Sequence, residues 1–214
     1  MQLMIKRHYE QVEKDLNGAT LCIVSKKRSE QEIMEYYALG RRVFGENHAQ
    51  ELCAKAQSLP GDIQWNFIGH LQRNKVRQIL PYVSMIQSVD SLRLAKEIEK
   101  EAARIDKTID VLVEVHMAAE DEEKSGASPE EARELVAFCA SQPHLCCKGI
   151  MAMGPHTNDV DRIREVFDAT HALYQSLAKE HGLSILSMGM SDDYRIALSC
   201  GSTMVRIGTY LFEE

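Results

Sequence analysis

The sequence has no apolar run approaching the ~20 residues that cross a bilayer. Its opening, Met1-Gln2-Leu3-Met4-Ile5-Lys6-Arg7-His8-Tyr9-Glu10, lacks the apolar core of a secretory leader. A membrane partner is not expected, and the expected location is cytoplasmic. There is no Cys-x-x-Cys pair among Cys22, Cys53, Cys139, Cys146, Cys147 and Cys200, and no histidine spacing completes a zinc site, so no metal is expected. Several of these cysteines sit in apolar runs, as Cys22 does in Leu21-Cys22-Ile23-Val24, and read as buried thiols of a reducing compartment. The adjacent Cys146 and Cys147 could instead form a redox pair. There is no excess of positive charge: 25 Lys and Arg face 32 Asp and Glu, a net charge of −7, which argues against a nucleic-acid partner. The basic cluster Arg73, Lys75 and Arg77 is local and reads as a solvated helix face. No linker rich in Pro, Gly or Ser interrupts the 214 residues, so a single domain over residues 1–214 is expected.

What is present is an alternation of short apolar runs with longer amphipathic ones. Ile5, Tyr9, Val12 and Leu16 share one face of an opening helix. Strands are expected near residues 20–25, 43–45, 65–69, 85–89, 111–115, 147–151, 185–187 and 204–207. Between them lie helix starts with a physical signature: Ser29 with Glu32, Asp90 or Ser91, and Ser128-Pro129-Glu130-Glu131. A short helix is expected over residues 74–80, and a long one from residue 160 that stops at His181-Gly182. Eight strand units interleaved with helices predict an α/β fold, a single (β/α)₈ TIM-type barrel with an additional N-terminal helix. The rival open doubly wound sheet often carries a glycine fingerprint after its first strand, and none occurs here.

In such a barrel, functional groups gather at the carboxyl ends of the strands. That rim collects Ser25-Lys26, Glu46-Asn47, Gly69-His70, Ser191 and Gly208-Thr209. Lys26 alternates with Val24 and Cys22, so it points to their side of the first strand, where an amine withdrawn from water could condense with an aldehyde. The alternative is an exposed lysine at a strand end. Asn47 either caps the next helix or meets a ligand. Ser191 is an N-cap by position, before Asp192 and Asp193, or one side of a phosphate site. A phosphate there requires the two carboxylates to point away. Gly208 permits close backbone approach, and Thr209 adds a hydroxyl and an N–H. Arg206, amid apolar residues on the last strand, either forms a buried ion pair or presents a fixed cation to a ring nitrogen or carboxylate. His70, Asp110 and Glu114 have no identifiable partner, so no acid–base pair is expected, and no catalytic residue is assigned.

These segments carry a resemblance. Val24-Ser25-Lys26, Phe44-Gly45-Glu46-Asn47, Phe67-Ile68-Gly69-His70-Leu71-Gln72-x-Asn74-Lys75, Ser88-Val89-Asp90-Ser91, Glu123-Lys124-x-Gly126, Ser187-Met188-Gly189-Met190-Ser191-x-Asp193 and Gly201-Ser202-Thr203-x-Val205-Arg206-Ile207-Gly208 together resemble the YggS/PROSC family of pyridoxal 5′-phosphate homeostasis proteins. The likeness covers essentially the whole chain. It implies a fold type III barrel like the N-terminal domain of alanine racemase. It further implies pyridoxal 5′-phosphate as cofactor, an internal aldimine on Lys26, phosphate contacts from Ser191, Gly208 and Thr209, Arg206 facing the pyridine nitrogen, and Asn47 against the cofactor. The departures are Lys27-Arg28 after Lys26, where an uncharged residue is more usual, and His48 after Asn47, where Tyr is common.

The resemblance also implies a role in intracellular cofactor homeostasis without an established enzymatic activity, with apo-enzymes that use the cofactor as candidate partners. An arginine stays protonated and leaves the pyridine nitrogen largely unprotonated, which weakens the ring as an electron sink. Barrel racemases take a second acid–base group from an added β domain, for which the chain, ending at Glu214, is expected to have no room; a monomer is expected. Two alternatives are a weak racemase or transaminase acting through Lys26, and a phosphometabolite binder without cofactor. The latter leaves Lys26 unexplained.

Overall fold

The computed structural model describes residues 2–117 and 125–212, with side chains from residue 7 onward. Glu123 and Lys124 of the sequence motif, and the side chain of Ile5, lie outside the described residues. The chain opens with helix α1 (Gln2–Asp15), then alternates β1 (Thr20–Val24), α2 (Glu30–Ala38), β2 (Val43–Glu46), α3 (Ala49–Ser58) and β3 (Gln64–Phe67). A 3₁₀ turn (Arg73–Lys75) leads into the short α4 (Val76–Ile79), followed by β4 (Val83–Val89), α5 (Leu92–Arg104) and β5 (Ile109–Val115). The second half runs α6 (Pro129–Ser141), β6 (Leu145–Ala152), α7 (Val160–His181), β7 (Ile185–Ser187), α8 (Tyr194–Ser199), β8 (Met204–Ile207) and α9 (Thr209–Phe212).

The eight strands are parallel and close into a barrel in sequence order. Closure is made by β1 on β8, with Cys22 opposite Arg206 and Ile23 opposite Ile207. The expected barrel is therefore present, with α1 as the additional helix. Strand residues alternate between two surroundings. Leu21, Ile23, Phe44, Trp65, Ile86 and Val111 pack outward against the helix ring in one continuous core. Met85, Leu112 and Met151 form a separate small cluster inside the barrel.

Local chemistry sets the helix boundaries. Ser29 and Glu32 form a reciprocal capping box on α2, and Ser128 and Glu131 form another on α6 with Pro129 at its first turn. Ser91, not Asp90, caps α5 through the Leu94 N–H. Gly182 ends α7 in the left-handed conformation. Two expected boundaries shift. The helix expected over 74–80 is only one turn of α-helix after a 3₁₀ turn, and Leu16 packs just beyond α1 rather than within it. The opening helix is moored to the barrel by Asp15, which accepts hydrogen bonds from the Tyr194 hydroxyl and Arg195 Nε.

Candidate functional site

Strand ends place five of the six expected site residues around one cavity at the carboxyl end of the barrel. Lys26, Ser191, Arg206, Gly208 and Thr209 line a space of about 540 Å³ between the ends of β1, β7 and β8. That volume suits a small cofactor. Lys27 and Arg28 join the lining, so four cationic side chains face one carboxylate, that of Asp192. That excess of positive charge favours an anion over a cation there.

Lys26 lies one step past Val24-Ser25, in the turn that leaves β1. Its side chain is exposed at the mouth rather than withdrawn from water. The turn itself is tightly held. Ser25 is fully buried; its hydroxyl donates to Glu46 Oε1 (2.6 Å), and its carbonyl accepts from Lys55 Nζ (2.6 Å) and the Arg28 N–H (3.0 Å). Lys55 also donates to Glu46 Oε1 and Glu51 Oε1, each at 2.7 Å. Burial pushes the Glu46 carboxyl above its ordinary value, against the hydrogen bonds from Lys55 and Ser25. This network was not apparent from the sequence, because Glu46 sits on an apolar strand and Lys55 on a separate helix.

The anion side is shaped by two glycines and an aspartate. Gly189 has φ +96°, and a Cβ there would lie 2.5 Å from that of Ala197, so the turn after β7 needs glycine. Asp193, not Ser191, occupies the N-cap position of α8. Its carboxylate turns inward, accepting the Met190 N–H at 2.6 Å, and burial raises its proton affinity. Ser191 is left in the turn, its hydroxyl accepting the Tyr210 N–H at 3.2 Å. The requirement that both carboxylates avoid the anion is met by Asp193 and not by Asp192, which is exposed and lines the cavity. At Gly208 a Cβ would come within 3.0 Å of the Val24 carbonyl, so the missing side chain keeps the cavity floor open.

Arg206 is 4% exposed. Its Nη1 donates to the Ser187 hydroxyl (2.8 Å) and carbonyl (2.9 Å), and its Nη2 to the Ala152 carbonyl (3.0 Å). Among the described residues these acceptors are neutral, so the buried ion pair considered from the sequence is not formed. Burial lowers the proton affinity of Arg206, opposed by the more distant Cys22, Asp193 and Glu114. Behind it runs a polar chain across the barrel: Ser187 donates to Gln87 Oε1 (2.7 Å), Gln87 Nε2 to Asn66 Oδ1 (2.7 Å), and Asn66 Nδ2 to the Gln64 carbonyl (3.2 Å). Every donor points away from Arg206, so the guanidinium keeps its full donor role. Inward polar residues at alternate positions of β3, β4 and β7 were the available signal for this chain.

Asn47 stands apart. It lines a second cavity of about 220 Å³ with His48, Gln50, His70, Gln72 and Lys75. It caps no helix, since His48 holds the N-cap position of α3. Its Oδ1 is buried without a hydrogen-bond partner, which leaves an acceptor for a ligand hydroxyl or N–H. His70 has a carboxylate neighbour after all, with Nδ1 3.4 Å from Asp90 Oδ2, but is 65% exposed in its side chain. Glu114 is also partnered: it is buried at the end of β5 and accepts the Ser125 hydroxyl at 2.7 Å. Asp110, at the other end of that strand, lies 3.8 Å from Lys148. The cysteines are all free thiols, Cys146 and Cys147 included. No cluster of side chains suited to a metal occurs among the described residues. No described helix is long and apolar enough to cross a membrane.

A closed (β/α)₈ barrel with a rim lysine, a glycine-floored anion pocket and a buried arginine defines a barrel of the alanine racemase N-terminal type. The family model "Alanine racemase, N-terminal domain" matches residues 4–214. The chain is 40% identical over 197 residues to the pyridoxal phosphate homeostasis protein of Helicobacter pylori (strain ATCC 700392 / 26695), covering 91% of this chain and 87% of that one. It is 37% identical over 213 residues to the protein of the same name from Aquifex aeolicus (strain VF5), covering 98% and 93%. The structure of PipY from Synechococcus elongatus PCC7942 with PLP bound superposes with a TM-score of 0.89 at 29% identity, covering 98% of this chain and 100% of that one. The chain belongs to the pyridoxal phosphate homeostasis protein family.

Proposed function

We propose that this protein binds pyridoxal 5′-phosphate and serves its intracellular homeostasis, holding the cofactor rather than turning over a substrate. The observation that carries the reading is the convergence of Lys26, Ser191, Arg206, Gly208 and Thr209 on one cationic cavity. The donor set fits the group. Gly208 leaves room for close approach by a phosphate, Ser191 and Thr209 supply hydroxyls beside it, and Lys26 presents an amine at the mouth. Arg206 is the charged donor on the inner side, and Asn47, with its unpartnered Oδ1, is assigned to the cofactor's other edge.

When bound to an enzyme, this cofactor supplies an electron sink for carbanions. Arg206 works against that use, because a guanidinium stays protonated and cannot give a proton to the ring nitrogen. Ser187 and Gln87 reinforce this by orienting all their donors away from the guanidinium. Lys26 binds, Ser191, Gly208 and Thr209 orient, and Arg206 fixes charge. We assign the protein to the cytoplasm as a monomer that passes cofactor to apo-enzymes.

The test is reconstitution of the purified protein with pyridoxal 5′-phosphate, borohydride reduction, and peptide mass mapping. A single adduct on Lys26, lost in Lys26→Ala, is expected. An adduct on another lysine, or none, overturns the assignment. Exchange of α-hydrogen into a panel of amino acids in deuterated water, dependent on Lys26, would overturn the non-catalytic reading.

A further inference from the structure

The two neighbours of Lys26 in sequence are both tied to one buried charge network. Ser25 is bonded through its hydroxyl to Glu46 and through its carbonyl to Lys55. Lys27 donates its backbone N–H to Glu51 Oε1 at 2.6 Å, and the same oxygen accepts Lys55 Nζ at 2.7 Å. The Arg28 N–H closes back on the Ser25 carbonyl at 3.0 Å, so residues 25–28 form a tight turn with Lys26 and Lys27 at its centre. Lys27 has φ +60°. A left-handed residue in the third position of such a turn is ordinarily Gly, which has no Cβ to crowd the following carbonyl, or Asn, whose side chain hydrogen-bonds locally. Nothing in the Lys27 side chain favours that conformation. Something outside the turn must hold it.

We propose that Glu51 is a positioning residue for Lys26: its carboxylate, anchored by buried Lys55, latches the left-handed Lys27 backbone and so directs the Lys26 amine over the cavity. The inference rests on the reading that Lys26 bonds the aldehyde of pyridoxal 5′-phosphate. Glu51 is on α3, a turn of helix before Lys55, and touches neither the cavity nor Lys26 itself. The Lys55 side chain is 8% exposed and its three acceptors are fixed, so the latch does not swing with solvent. Without it, Lys27 relaxes toward the ordinary backbone regions, the turn opens, and the exposed Lys26 amine samples many directions. Groups that hold the phosphate lie on the β7 and β8 side and are not connected to Glu51.

The latch therefore separates two ligands. Pyridoxal 5′-phosphate uses both Lys26 and the anion pocket; pyridoxine 5′-phosphate has no aldehyde and uses the pocket alone. Dissociation constants for both are measured on wild type, Glu51→Ala, Glu51→Gln and Glu51→Asp, with circular dichroism as a check on folding. Glu51→Ala is expected to weaken pyridoxal 5′-phosphate roughly tenfold to hundredfold, the range of a lost hydrogen bond to a charged group. Pyridoxine 5′-phosphate should change by no more than about twofold, within the scatter of an indirect effect. Glu51→Gln keeps an acceptor oxygen and should recover most of the loss. Glu51→Asp keeps the charge facing Lys55 but is one methylene shorter and falls short of the Lys27 N–H, so it should show the same selective loss for the aldehyde ligand. It carries the test alone if Glu51→Ala does not fold. Equal losses for the two ligands, or no loss for pyridoxal 5′-phosphate, overturn the proposal. Failure of wild type to form the covalent adduct overturns the cofactor reading beneath it instead.

Discussion

Arg206 and Ser187 face each other inside the barrel, one guanidinium nitrogen donating to both the hydroxyl and the carbonyl of the serine at 2.8 and 2.9 Å. The serine hydroxyl has one proton, and it goes to Gln87. Ser187 is therefore the point where a cation's hydrogen bonds are handed to a neutral chain crossing to β3.

Ser187→Ala removes an acceptor from Arg206 and a donor from Gln87 while sparing the carbonyl contact. A buried polar group left unsatisfied costs about 1–3 kcal/mol. For a domain of this size each kcal/mol lowers Tm by about 2–4 °C. Differential scanning calorimetry of the apo-protein checks the loss, which Gln87→Leu should share. The double variant should lose less than the sum, because both changes break one chain. Full additivity would show that the chain does not act as a unit.

Glu114 predicts a pH dependence of stability. Burial pushes its carboxyl above the ordinary value of 4.5, although the Ser125 hydrogen bond and the Arg206 charge pull the other way. As pH rises past about 4.5 the unfolded chain releases this proton first. The folded state then binds more protons, so this group's contribution to stability is full below that pH and is lost as pH rises through its folded value. Glu114→Gln cannot titrate and retains an acceptor for Ser125. Urea unfolding of both proteins between pH 4 and 8 should give curves that diverge above pH 4.5, with wild type falling relative to the variant. Parallel curves would mean that Glu114 titrates normally.

The fold was legible because its signals are local. Apolar runs, Ser-x-x-Glu boxes and Gly182 each depend on a few adjacent residues, and the eight strands follow from them. The rim also followed, since strand ends bring Lys26, Ser191, Arg206, Gly208 and Thr209 to one side. The supports were not legible. Ser187 reaches Gln87 across 100 residues, and Lys55 reaches Ser25 from a separate helix. The left-handed Lys27 carries no local mark, because the residue usually used there is glycine. Ser191 looked like a helix cap because Asp192 and Asp193 resemble a first turn; Asp193 instead buries its carboxylate against the Met190 N–H, and the helix starts at Tyr194, two residues later than that cap implies. Asn47 also followed from its strand end, and the cavity it lines with His48 and His70 lies beside the one lined by Lys26.

Gly208→Ala tests the anion pocket separately from Lys26. The added methyl would sit 3.0 Å from the Val24 carbonyl and 3.1 Å from the Val24 Cβ, so β1 must yield by a few tenths of an ångström. Strand β1 is paired on both sides and held by Ser25, so it yields little. The methyl therefore takes its space from the cavity, where a phosphate would approach the backbone. Affinity for pyridoxal 5′-phosphate should fall roughly tenfold, about the worth of a weakened charge-assisted hydrogen bond. Pyridoxal without its phosphate should bind the variant as it binds wild type, because the Lys26 amine is untouched. Parallel titrations with the two aldehydes, read by absorbance, give the ratio directly. An unchanged ratio would place the phosphate somewhere other than the Gly208 floor, and the cationic rim of Lys27 and Arg28 would become the alternative site to test.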